Sequence, residues 1–140
     1  MSVRVLIADD DPSMRGALGD MLSSEPGYLV VGLAADPESA IELAGTHRPD
    51  VAILDVKMPG GGGMRAAEGI RTASPATRIV ALSAWDDRET MTRMRRAGAC
   101  GYLVKGGAPD DLIELIERIR ACAPAAASAV AGVVRLSLRR

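Results

Sequence analysis

VAILDVKMP, residues 51–59, is the stretch whose reading decides the fold. Val51, Ala52, Ile53 and Leu54 lead into Asp55, and Pro59 with the glycines 60–63 closes the run. A short apolar run ended by proline and glycine is the pattern of a strand buried on both faces, as central parallel strands are. Asp55 then falls at the C-terminal end of that strand. In open α/β sheets this edge is where ligands bind, and a carboxylate placed there at a desolvation cost is a candidate functional group. Taken alone, it also reads as a helix N-cap or a solvated loop acid.

Working outward, the same punctuation recurs along the chain. Residues 3–8 form an apolar run ending in Asp9, Asp10 and Asp11; after Pro12 and Ser13, Met14, Ala17, Leu18, Met21 and Leu22 follow at helical spacing. Pro26 and Gly27 mark a turn before a second strand over 28–34. Asp36 with Pro37 reads as an N-cap and first helical residue, opening a helix that residues 45–49 end. Past the glycine run come a helix over about 64–72, a strand over 78–83 stopping at Ser83, and a helix over about 88–97 ended by Gly98. The apolar face of that helix is only Met91, Met94 and Ala97, a thin stripe that holds it loosely. A fifth strand, 101–104, stops at Lys105, and from Pro109 a last helix carries Leu112, Leu115, Ile116 and Ile119 on one face. Five strands alternating with five helices predict an α/β fold: a parallel sheet covered on both faces and joined by right-handed crossovers.

Composition limits the classes further. The 140 residues suit one domain with a short tail, and 48% apolar with 25% charged residues is ordinary for a folded soluble chain. A formal charge of −1 gives no overall pull toward nucleic acid. The opening MSVRVLIADDD has too short an apolar run for a signal segment, so a cytoplasmic protein with no membrane contact is expected. Phe is absent and there are one Trp and two Tyr, so the core must be aliphatic. Cys100 and Cys122 lack metal spacing and receive no role.

The strand ends converge. Asp9 and Asp10, Asp55, Ser83 and Lys105 all land on one edge of the predicted sheet. Each has a plain structural reading: the acids as a helix-capping turn, Ser83 as a strand-end cap, Lys105 as a surface lysine. Coincidence at four strand ends explains them poorly. Crowded carboxylates repel, and a hard divalent cation such as Mg²⁺ holds them together through oxygen ligands. A cation and an ammonium beside Asp55 make a place for a phosphoryl group, with Asp55 as nucleophile and Ser83 as hydroxyl donor.

IADD at 7–10, LDVKMPG at 54–60, ALSA at 81–84 and AGACGYLVK at 97–105 together resemble the receiver domain of two-component response regulators, of the nitrate-response or LuxR type, over roughly residues 3–122. The resemblance implies a flavodoxin-like (CheY-like) doubly wound five-stranded sheet in the order 2-1-3-4-5, and a phosphoryl group passed from a sensor histidine kinase to Asp55. It implies that Asp10 binds Mg²⁺ directly and Asp9 largely through water, with Asp55 and the backbone carbonyl of Lys57 as further ligands. Ser83 and Tyr102 would be the switch pair. Such a domain catalyses only its own phosphorylation and dephosphorylation, and a homodimer is a further expectation.

Three departures bear on the site. Asp11 stands where nitrate-type relatives usually carry His, adding a third acid. Gly62 replaces a frequent Asp, leaving the start of the next helix loosely capped, and Gly106 follows Lys105 where Pro is common. Residues 123–140 read as an alanine-rich linker or tail, and LSLRR loosely resembles the opening of a helix-turn-helix output domain; DNA would be contacted only through such a domain. Two other functions fit the residues less well. A phosphohydrolase with an aspartate nucleophile needs a second acid two residues on, where this chain has Lys57, and a receiver used only as a scaffold would not keep the whole set. The glycines 60–63 are not a nucleotide loop, since no Gly-Lys-Ser/Thr follows.

Overall fold

A computed structural model describes residues 2–84, 87–106 and 110–120, together with the backbone of 109 and 134–137. Trp85 and Cys122 lie outside the described residues, as does most of the expected linker. The elements run β1 Val3–Ala8, α1 Pro12–Ser24, β2 Tyr28–Ala34, α2 Pro37–His47, β3 Val51–Asp55, α3 Gly62–Ala73, β4 Arg78–Ser83, α4 Arg88–Ala97, β5 Ala99–Val104, α5 Pro109–Arg120 and β6 Val134–Ser137. The first five strands lie parallel in the order β2-β1-β3-β4-β5, the doubly wound arrangement expected from the sequence. β6 adds a sixth, parallel strand beside β5. Part of the expected tail therefore belongs to the sheet.

Strand alternation divides the interior into two layers. In β3, Ala52 and Leu54 point into a cluster with Ala40 and Ala44 of α2, Ala66, Ala67 and Ile70 of α3, and Met94 and Ala97 of α4. Val51 and Ile53 point the other way, onto Leu18 and Leu22 of α1 and Leu112, Leu115, Ile116 and Ile119 of α5. Every residue of β3 is buried, as its unbroken apolar run requires. β2, at the edge, is mostly half-buried and leaves Leu29 and Leu33 exposed at 51% and 49%.

Local chemistry sets the helix ends. Asp36 caps α2 by accepting from the Ser39 amide, with Pro37 following as predicted. Asp87 caps α4, accepting from the Glu89 amide and from the Thr90 hydroxyl at 2.7 Å. α3 begins at Gly62, two residues before the sequence suggested, behind an N-cap glycine, Gly61, with no side-chain hydrogen bond. Among the described residues, no helix is long and apolar enough to cross a membrane.

Candidate functional site

The C-terminal ends of the strands carry the predicted set. Register alone brings the two central carboxylates together, because β1 pairs with β3 through Ala8 and Leu54, and Asp9 and Asp55 are the next residues on each chain. Asp9 is fully buried and Asp55 is 5% exposed, while Asp10 is exposed. Carboxylate oxygens of Asp9, Asp10 and Asp55 lie within 4.8 Å of one another. Buried like charges at that spacing need a counter-charge. Lys105 supplies one: its ammonium is 3.1 Å from Asp9 Oδ2 and 3.2 Å from Asp55 Oδ1.

The electrostatics follow from this crowding. Burial pushes the Asp55 carboxyl up to about 6; the Lys105 ammonium opposes that rise and Asp9 adds to it. Burial alone would lower the Lys105 ammonium, but Asp55 and Asp9 outweigh it and hold its pKa above the usual lysine value. One ammonium against three carboxylates leaves a net negative pocket of hard oxygen donors. That donor set fits a hard divalent cation.

The three N-terminal acids separate by role. Asp9 is already engaged on both oxygens, Oδ1 accepting from the Asp11 amide at 2.9 Å and Oδ2 from Lys105. Asp11 accepts from the Ser13 amide at 3.0 Å and is the N-cap of α1, so it lies outside the carboxylate cluster. Asp10 has no hydrogen bond or ion pair among the described residues and is the carboxylate most available to a new ligand. Sequence reading missed Arg15, whose guanidinium donates to the Asp9 carbonyl at 2.8 Å and steadies the acidic loop. Its distance of six residues from Asp9, across a loop and a first helical turn, gave no signal.

Ser83 and Tyr102 meet. Both are buried, and the Tyr102 phenol is held above its ordinary pKa by burial, partly offset by a hydrogen bond with Ser83. The Lys105 amide donates to the Ser83 carbonyl at 2.8 Å, and the Val56 amide to the Leu82 carbonyl at 2.9 Å, so three strand ends are stitched across the site. On the far side, the Gly63 amide donates to the Val56 carbonyl at 2.9 Å. A Cβ on Gly63 would lie 2.7 Å from the Asp55 carbonyl oxygen, which is why α3 can start hard against the β3 end only without side chains there. Lys57, two residues beyond Asp55, is exposed.

With this geometry, the family model described as the response regulator receiver domain matches residues 5–117. The transcriptional regulatory protein PdtaR of Mycobacterium tuberculosis is 47% identical over 114 residues, covering 81% of this chain and 55% of that protein. The nitrate/nitrite response regulator protein NarL of Escherichia coli is 34% identical over 135 residues, covering 96% of this chain and 62% of NarL. The chain spans about half the length of the curated relatives it matches. Among solved structures, a LuxR-family two-component response regulator from Aurantimonas superimposes with a TM-score of 0.82 at 32% identity, over 89% of each chain.

Proposed function

The chain belongs to the response regulator receiver domains of two-component systems, and from that premise we propose that it is a phosphorylation-dependent switch whose acceptor is Asp55. The observation that carries this reading is the Asp55 carboxylate at the end of β3, with the Lys105 ammonium at 3.2 Å and two further carboxylates within 4.8 Å. A carboxyl held at about 6 is still mainly ionised at neutral pH, so it remains a nucleophile. One Asp55 oxygen forms the new bond to phosphorus as the bond to the donor's imidazole nitrogen, or to the leaving oxygen of a small acyl phosphate, breaks. Lys105 is placed to hold one phosphoryl oxygen, and Ser83 to donate to another once its bond with Tyr102 yields.

Mg²⁺ is the cofactor this donor set suits, and when bound it would neutralise charge on both the nucleophile and the incoming group. Asp10 would hold it directly, Asp9 through water, and Asp55 with the Lys57 carbonyl would complete the protein ligands. The chemistry is confined to the chain's own modification by a sensor histidine kinase, in a cytoplasmic setting. The relatives' names support control of transcription through an output domain in the full-length protein.

The test is mass spectrometry after exposure to acetyl phosphate. One phosphoryl group on Asp55, dependent on Mg²⁺ and absent from Asp55→Asn, is the expected result; equal labelling of that variant would sink the assignment.

A further inference from the structure

β5 is paired on both sides. Gly101, Tyr102, Leu103 and Val104 register with Val80, Ala81, Leu82 and Ser83 of β4, and on their other side with Val134, Arg135, Leu136 and Ser137 of β6. The two neighbours are held very differently. β4 is an interior strand, paired again with β3 from Arg78 to Leu82 and buried along nearly its whole length. β6 is a four-residue edge strand, parallel to its single partner and lying against α5. Short parallel edge pairing is the weakest ladder in such a sheet.

The C-terminal end of β5 is also tied to the phosphoryl site. Tyr102 shares a hydrogen bond with Ser83, the Lys105 amide donates to the Ser83 carbonyl, and the Lys105 ammonium spans Asp9 and Asp55. A phosphoryl group on Asp55 draws Lys105 and the Ser83 hydroxyl toward its oxygens, so the Ser83 and Tyr102 contact must rearrange and the end of β5 must shift. β4 is anchored within the core and does not follow freely. The strain falls on the outer ladder, where N–H···O bonds weaken steeply as they lengthen or bend.

We propose that residues 134–137 form a strap that covers the β5 edge in the unmodified protein and is released when Asp55 is phosphorylated. This rests on the reading of Asp55 as the acceptor. The strap makes the segment leading away from the receiver a direct reporter of the site, since it is hydrogen-bonded to the strand that carries Tyr102 and leads into Lys105. It also means that the β5 edge between α4 and α5 is closed to any other strand until release.

Amide exchange of the 140-residue chain tests the strap in two arms. Leu136→Pro removes a backbone donor from β6, and should speed exchange at 101–104 by about threefold or more while Ile7 and Ile53 keep their protection. Unchanged exchange at 101–104 would show that β6 does not cover this edge in solution. In the second arm, beryllium fluoride with Mg²⁺ serves as the phosphoryl mimic and should speed exchange at 134–137 in the wild type but not in Asp55→Asn. Mimic bound at Asp55 with exchange at 134–137 unchanged or slowed overturns the strap alone. Failure of the mimic to bind Asp55 overturns the acceptor reading, and the strap's release with it.

Discussion

Asp55 is a carboxylate held against its preference. Its folded pKa of about 6 stands above the ordinary value of 3.8, so its contribution to stability is fully present below pH 3.8 and is lost as pH rises through 6. At about 1.4 kcal/mol per pH unit the shift is worth about 3 kcal/mol, and solvent screening at the open edge of the sheet reduces this to about 1–2 kcal/mol. Without divalent cations, Asp55→Asn is therefore expected to be more stable than wild type by about that amount at pH 7.5 in urea unfolding. The advantage should shrink below pH 6 and vanish near pH 4. A constant difference across that range would mean that the strain at this position is steric and not electrostatic. Asp10 and Asp11 differ in the same residue-level sense. Asp10→Ala should weaken Mg²⁺ binding, followed by titration calorimetry, more than Asp11→Ala does. Asp11→Ala should instead cost about 1 kcal/mol of stability through loss of the α1 cap. The reverse order would mean that the acidic loop is read one residue out of register.

At the level of elements, most boundaries were legible because their signals are local. Pro37 after Asp36, Gly98 after Ala97 and the glycines after Pro59 are punctuation that tertiary packing has no reason to override. The junction of β3 and α3 shows how tightly such punctuation can be set. Gly62 adopts φ +71°, and a Cβ there would lie 2.5 Å from the Val56 carbonyl oxygen, a backbone atom that cannot swing away. Gly62→Ala is expected to lose roughly 2–3 kcal/mol in thermal or urea unfolding. A neutral result would show that the loop has a second conformation open to it. Contacts that depend on register were legible only through the family resemblance. It pairs Ser83 with Tyr102, whereas their meeting follows from β4 and β5 aligning Ser83 with Val104 after a shift at Ile79 and Val80, which no spacing in the sequence announces. Asp11 reads in the sequence as a third acid of the loop or as part of a helix-capping turn, and the capping reading is the one the structure bears out, with Asp11 at the start of α1. β6 was hidden because VRLS is too short and too weakly patterned to call a strand. Its pairing is supplied by the open edge of β5.

For the whole molecule, the aliphatic composition has a visible outcome. Alanines from α2 and α3 build one layer and the larger aliphatics of α1 and α5 the other, and among the described residues Tyr102 is the largest fully buried side chain. The two tyrosines sit on strands far apart in the sheet, and neither is free. The Tyr28 phenol is raised by burial and by its hydrogen bond to the Glu117 carboxylate, and the Tyr102 phenol by burial, which outweighs the opposing hydrogen bond with Ser83. Both therefore stabilise the fold below pH 10, and that stability is lost as pH climbs above it. Two protonated phenols locked into opposite parts of one cooperative structure make the protein its own optical clock for alkaline unfolding. Tyrosinate absorbance should stay flat past the pH where a free phenol ionises, then rise in a single step that coincides with the loss of far-ultraviolet circular dichroism. A gradual rise beginning near pH 10, ahead of that loss, would show that at least one phenol reaches solvent while the sheet is still intact.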